Sequence, residues 1–252
     1  MPIDPRTPVL VGAGQFLHRA AGLDDALDAS ALMAEAVRRA ATDAGLSAVP
    51  DADSIRVVGL LSHRYHDPAW VVAQQLGLAP AETAVSTMGG NSPQSLVNAT
   101  ALDILRGGLD LAILTGGEAW RTRMKARKLG ADLHWPAAPE AQVPRVIGDD
   151  LQMSNDTERS RGIVMPIQVY PMFETAIRAA AGRTPQDHLA LVSELWSRFS
   201  KVASENPNAW IPEFHTAEEI RTAGPANRMI GLPYTKYMNS NNDVDMGAAL
   251  IM

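Results

Sequence analysis

Two hydrophobic periods alternate along the first half of the chain. Pro8–Ala13 (PVLVGA) is a β-rich apolar run that closes on glycines. Ala29–Ala44 places Leu32, Met33, Ala36, Val37 and Ala40 at helical spacing, and Gly45 stands where a helix C-cap glycine belongs. Ile55–Leu61 (IRVVGLL) predicts a buried strand, and Pro68–Leu78 a helix with proline in its first turn. Thr83–Met88 predicts a third strand, Pro93–Arg106 a third helix and Leu109–Thr115 (LDLAILT) a fourth strand. Near-continuous apolar strands joined by helices predict a mainly parallel sheet covered on both faces. The fold class is α/β.

The pattern changes after Gly117. Arg121–Met165 is rich in charge, proline and glycine and shows no strand alternation, which predicts a long excursion with short helices. Two helices follow, over Pro166–Ala181 and Thr184–Ser204. The first aligns Ile167, Tyr170, Phe173, Ile177 and Ala180 on one side. The second opens on Thr184-Pro185-Gln186-Asp187, an N-cap signal, and repeats Leu189, Val192, Trp196 and Phe199 at helical period. Thr216–Glu219 (TAEE) fits a capping box. Gly247–Met252 (GAALIM) reads as a buried strand, which either finishes a sheet or marks a chain that has been cut. The expected organisation is an α/β domain of residues 1–120, a helical loop domain of residues 121–231, and a closing segment of residues 232–252. The sheet would have five strands, with the first strand and Leu109–Thr115 central.

Composition narrows the chemistry. Of 252 residues, none is cysteine, so disulfides, thiolate metal sites and a cysteine nucleophile are excluded. No apolar run approaches the ~18 residues that span a bilayer. Asp4 and Pro5 stand where a signal peptide would be basic, so the expected location is cytoplasmic. A net charge of −6 argues against general binding to nucleic acid or anionic membrane. Against that background Arg121, Arg123, Lys125, Arg127 and Lys128 crowd one stretch, either a solvated helix face or a phosphate-binding patch.

The most specific local feature is Ser86–Asn98 (STMGGNSPQSLVN). A strand enters a Gly-Gly turn that opens a helix, with Ser92 as the expected N-cap and Pro93 next. Backbone N–H groups and the positive dipole end converge there, able to stabilise an anion or oxyanion. An ordinary capped strand–turn–helix junction has the same sequence. The histidines offer less: His63 and His66 have His-x-x-His spacing but no third ligand, and fit a backbone-bonded loop pair. His188 is expected on the solvent face of its helix. Val11–Gln15 (VGAGQ) begins like a dinucleotide fingerprint, but Leu17 replaces its third glycine and no acidic residue ends the second strand.

Taken in order, these segments resemble thiolases. Ile104–Trp120 (ILRGGLDLAILTGGEAW) resembles the strand after the family's nucleophile helix, through Gly108, Asp110, Gly116, Gly117 and Glu118. Pro8–Gln15 resembles the family's first strand, and Pro233–Met252 the segment that closes its N-terminal domain. Thr184–Glu219, with Glu205-Asn206-Pro207, is similar to the loop-domain helices of sterol-carrier-type thiolases.

The resemblance implies an acyl-CoA C-acyltransferase of lipid metabolism, with coenzyme A or acyl-CoA as substrate rather than as a covalent cofactor. It sets the family's nucleophilic cysteine at Asn91, which cannot form an acyl intermediate, and leaves Ser92 as the adjacent hydroxyl. Arg121, Arg123, Lys125 and Arg127 would hold the CoA phosphates. The family's second half supplies an activating histidine, an Asn-His oxyanion site and a second cysteine, and this sequence matches only the first half. Thiolysis by this chain alone is therefore not expected. The expected partners are a C-terminal thiolase half, in the same longer chain or a separate subunit, and a second copy docked through the N-terminal sheet. The alternative is a non-catalytic acyl-CoA-binding or structural subunit that pairs with a cysteine-bearing chain.

Overall fold

The computed structural model describes residues 4–252, which divide into two units: residues up to Asp150 with Asn242–Met252, and Leu151–Asn241. In chain order the first unit contains β1 (Gly12–Leu17), α1 (Ala29–Asp43), β2 (Ser54–Val57), α2 (Pro68–Leu76), β3 (Glu82–Ser86), α3 (Ser92–Leu105), β4 (Ala112–Ala119), α4 (Trp120–Leu129) and β5 (Arg145–Ile147). The second contains α5 (Asp156–Ser160), α6 (Pro166–Ala180), α7 (Pro185–Ser204), α8 (Ala217–Arg221), β6 (Met229–Gly231) and β7 (Tyr234–Thr235). The chain then returns to the first unit as β8 (Asp245–Ile251).

The sheet of the first unit is mixed and has six strands rather than five, in the order β1-β8-β4-β2-β3-β5. β4, β2, β3 and β5 are parallel neighbours, while β8 runs antiparallel between β1 and β4. Two expectations change with that order. β1 is an edge strand, because β8 separates it from β4. It also lies four residues later than the apolar run predicts, because its register is set by β8, from Gly12 opposite Ile251 to Leu17 opposite Met246. β4 runs on through Gly116, Gly117 and Glu118 for the same reason, paired with β8 as far as Ala119. The sixth strand, β5, is three residues long and lies in the stretch expected to lack strands.

Alternation along the strands sorts side chains onto two faces. Ile55, Val57, Ile113 and Ile251 pack with Val37, Ala40 and Val72 of α1 and α2. Ala84, Ala112, Leu114 and Met252 pack with Leu96 and Ile104 of α3 on the other face. The VGAGQ glycines serve this packing. Gly12 and Gly14 lie within β1 itself, and a Cβ on Gly14 would sit 2.1 Å from the Ala36 carbonyl oxygen of α1. Gly247 of β8 also lies against α1, where a Cβ would sit 2.4 Å from the Leu32 carbonyl oxygen. They bring α1 onto the sheet and form no phosphate-binding turn.

The unit boundaries fall thirty residues later and ten residues later than expected. α4 stays with the first unit because Asp245 of β8 accepts from the Thr122 N–H (3.1 Å) and hydroxyl (2.8 Å), fixing the helix start. In the second unit Val192, Ile220 and Met238 form a small core with Trp196 and Tyr237 around it. The capping box of Thr216 and Glu219 is present. Asn227 donates to the Glu219, Ile220 and Thr222 carbonyls and accepts from the Tyr237 N–H, which closes α8 onto the following turn.

Candidate functional site

The turn between β3 and α3 lies at the carboxyl edge of the parallel strands. Ser86 ends β3, and its hydroxyl accepts from the Gly59 N–H (2.9 Å) of the loop after β2. Two hydroxyls then converge on one carbonyl: Ser86 Oγ and Ser92 Oγ donate to the Thr87 oxygen at 2.9 and 2.7 Å. Gly148, at φ +101°, allows Thr87 to pack close by, since a Cβ there would lie 2.6 Å from Thr87 Oγ1. Space is open around Gly90. Met88 and Asn91 are exposed, and Ser92 is buried.

The cap differs from the expectation. Asn91, not Ser92, is the N-cap residue, and it makes no side-chain cap bond. Its amide donates instead to Ser95 Oγ at 3.2 Å, one turn along α3. Ser92 is the first helical residue, and its hydroxyl proton is committed to the turn that it stabilises. No titratable side chain bonds to Ser92 Oγ among the described residues, so nothing prepares it as a nucleophile.

Neighbouring segments at the same edge are clamped. Glu118, at the end of β4, accepts from the N–H groups of Leu61 (2.6 Å) and Ser62 (2.8 Å). Arg123 of α4 donates to the carbonyls of those same two residues, at 2.6 and 3.1 Å. A carboxylate and a guanidinium thus grip one dipeptide, Leu61-Ser62, through its N–H groups and its carbonyls, and no local sequence signal points to it. Beyond the clamp, His63 packs edge-on against Tyr65 and Trp135, with ring centroids 4.5 and 5.2 Å away. Burial holds its imidazole below the ordinary value; Asp28 pulls the other way and Arg123 adds to the lowering. His66 sits apart in the left-handed region, at φ 61°. Among the described residues no three His, Asp or Glu side chains gather to hold a metal.

The basic stretch forms α4, and a helix spreads it over two faces, with Arg121 and Lys125 one turn apart and Arg123 and Arg127 one turn apart. Three of the charges have partners within the unit: Arg121 pairs with Asp243 (3.0 Å), Lys125 donates to the Ala21 carbonyl (2.8 Å), and Arg123 serves the clamp. Arg127 and Lys128 are exposed in the last turn, beside the negative end of the helix dipole. At the opposite edge of the sheet, Asp110 pairs with Arg6 at 2.6 Å, and its N–H donates to Asp53.

Sequence reasoning missed one buried network. Arg56 is fully buried on β2 and donates to Glu82 (3.0 Å), Asp103 (2.7 Å) and Thr100 (3.0 Å). Arg145 of β5 bonds the same two carboxylates at 3.0 and 3.2 Å. It joins β2, β3, α3 and β5 behind the candidate turn. The only sequence signal was an arginine inside an otherwise apolar strand.

No family model matches the chain, and no curated protein does. Solved structures do. A monomeric SCP2-thiolase-like protein type 1 from Mycobacterium smegmatis superposes over 99% of this chain at 28% identity with a TM-score of 0.74. The fold is thiolase-like. The Ltp2-ChsH2(DUF35) aldolase matches over 99% of the chain at 19% identity and a TM-score of 0.65. An acetyl-CoA acetyltransferase from Syntrophomonas wolfei matches over 96% at 15% identity and a TM-score of 0.50. The chain covers 46%, 56% and 63% of those three chains, so it spans about half the length of the thiolase-like structures that it matches. Within this thiolase-like fold no helix among the described residues is long and apolar enough to cross a membrane.

Proposed function

We propose that this chain is the front half of a thiolase-like assembly that handles acyl-CoA, and that it does not run thiolysis by itself. The observation that carries this reading is Asn91 at the start of α3, at the position the thiolase resemblance gives to the nucleophilic cysteine, in a chain without cysteine. An amide is not acylated by a thioester. It does donate hydrogen bonds, and with the first N–H groups of α3 it would receive a thioester oxygen. Phosphate contacts would fall to Arg127 and Lys128, since Arg121, Arg123 and Lys125 are engaged with protein oxygens.

The second half of the assembly, in the same longer chain or a separate subunit, has a surface to cover. α3 carries apolar side chains on two sides: Leu96 and Ile104 lie on the sheet, while Leu102 and Leu105 are half exposed on the opposite side. Such faces seldom remain solvated. A homodimer docked through the sheet edge beyond β3 is disfavoured, because β5 occupies that edge with a strand of three residues.

A second reading is a binding subunit without chemistry of its own. It is favoured by the engagement of both polar side chains at the turn, Asn91 with Ser95 and Ser92 with Thr87.

Calorimetric titration of the protein with acetyl-CoA tests the reading. Saturable binding is expected, weakened about threefold to tenfold by R127E with K128E. An absence of saturable binding in the native assembly would remove the acyl-CoA reading. Thiolysis of acetoacetyl-CoA by the chain alone would contradict its inactivity.

A further inference from the structure

The second unit contains a groove of about 500 Å³ whose walls are α6 and α7, with Glu174 and Ile177 on one side and Leu191, Leu195 and Phe199 on the other. The two walls are held very differently. α7 carries Val192 into the small core of the unit and buries His188, Ser193 and Ser197 as well. α6 has a helical apolar period too, yet none of its 15 residues is buried. Ile167, Tyr170, Phe173 and Ile177, which that period aligns on one side, are each about half exposed. Few buried apolar contacts mark a segment that opens locally at low cost.

A polar tie crosses from α6 to two neighbouring elements through one residue. Glu174 accepts from His188 Nε2 of α7 through one carboxylate oxygen and from the Tyr234 hydroxyl of β7 through the other. His188 is therefore 2% exposed rather than on a solvent face, as its helix position suggested. Burial first, and then the hydrogen bond and charge of Glu174, push the Tyr234 phenol well up, so it stays a donor. This arrangement strands one atom: among the described residues Nδ1 of His188 is buried with no partner. Nδ1 is a donor or an acceptor in every proton state of the ring, so motion that admits water would satisfy it. Both ends of α6 turn on glycines. Gly162 before it and Gly182 after it have φ of 74° and 62°, each with open space where a side chain would stand. Within the helix Pro171 lacks the N–H that would bond the Ile167 carbonyl.

We propose that α6 is a lid, hinged at Gly162 and Gly182 and latched by Glu174, which swings away from α7 as a unit while α7 and its core stay folded. Closed, Glu174 bonds His188 and Tyr234 and sets the width of the groove. Open, water reaches His188 Nδ1, and the wall of α7 that carries Leu191, Leu195 and Phe199 is uncovered. The device lies wholly within the second unit and is independent of the acyl-CoA reading.

Hydrogen–deuterium exchange of the full chain, read by peptide masses over α6 and α7, tests the lid. In the wild type the α6 amides are expected to exchange at least about tenfold faster than those of α7. E174A removes both bonds of the latch and should speed α6 exchange about tenfold or more, with α7 staying within about twofold of the wild type. Y234F removes one bond and keeps the ring, so it should give a smaller increase, and it decides the question if E174A does not fold. Protection of α6 equal to that of α7 in the wild type would overturn the proposal. So would α6 exchange unmoved by E174A, or by Y234F where E174A does not fold, and so would equal acceleration of both helices.

Discussion

Arg56 Nη2 lies 2.7 Å from Asp103 Oδ2, so β2 grips the helix that Asn91 precedes as its N-cap. Arg56 is fully buried, and its other partners, Ser54, Glu82 and Thr100, sit on its own strand, on a neighbouring strand and on the same helix. Arg145 shares the two carboxylates from a half-exposed position. The network is neutral overall, with two cations facing two anions.

The two arginines are predicted to differ sharply when removed. R56M leaves two partly buried carboxylates with one exposed partner, and should cost about 3 kcal/mol in urea unfolding. R145M removes an ion pair that water already screens and should cost about 1 kcal/mol or less. Equal losses would mean that burial does not set the strength of this network.

Two aspartates should respond to pH with opposite sign. Burial alone would raise Asp103, but the hydrogen bond and charge of Arg56, helped by Arg145, hold it below the ordinary range. Its contribution is present above the unfolded value near 3.9 and is lost as pH falls through the lower folded value. The cost of D103N should therefore shrink on acidification below about pH 4. Asp245 is raised, because its burial outweighs the Thr122 donors and the charges of Arg121 and His18. Its contribution is present below the unfolded value and is lost as pH rises through the folded value, so D245N should gain on the wild type as pH rises above about 4. Urea titrations that run from below to above about pH 4 check both, and slopes of the same sign would contradict the assignment.

Glycines at the sheet separate packing from turn geometry. G14A would press a methyl to within 2.1 Å of the Ala36 oxygen and 2.5 Å of the Ala40 nitrogen, both backbone, and should cost about 3 kcal/mol or more. G90A, in the candidate turn, meets open space and should stay within about 0.5 kcal/mol. Thermal melts of the two variants measure the contrast.

What the sequence revealed follows from what is local. Helical periodicity, the Gly45 cap and the Thr216–Glu219 capping box are properties of a few consecutive residues, and they recur in the structure. The thiolase-like order of segments was legible for the same reason. Strand partners are not local: nothing in Pro8–Gln15 reveals that β8 will intervene and make β1 an edge. The same limit hid the site's supports. Arg56 stands in a segment that reads only as a buried strand, Glu118 reads as a motif letter and His188 as a surface residue, because Asp103, Leu61 and Glu174 lie 47, 57 and 14 residues away in sequence. The basic stretch misled in the other direction, since closeness in sequence became two faces of α4.

The most direct test of the central claim is acyl transfer to N91C, which would be the chain's single cysteine, followed by intact mass after incubation with acetyl-CoA. A thiol there attacks the thioester carbonyl, forms an S-acetyl bond and releases CoA as the thiol, and the helix N-terminus favours its thiolate. The account predicts an acetyl adduct on N91C, formed faster than on an S95C control one turn along α3, and no adduct on the wild-type chain. An acetylated wild-type chain with the group on Ser92, or an N91C variant no more reactive than S95C, would contradict the assignment of Asn91 to the place of the missing nucleophile.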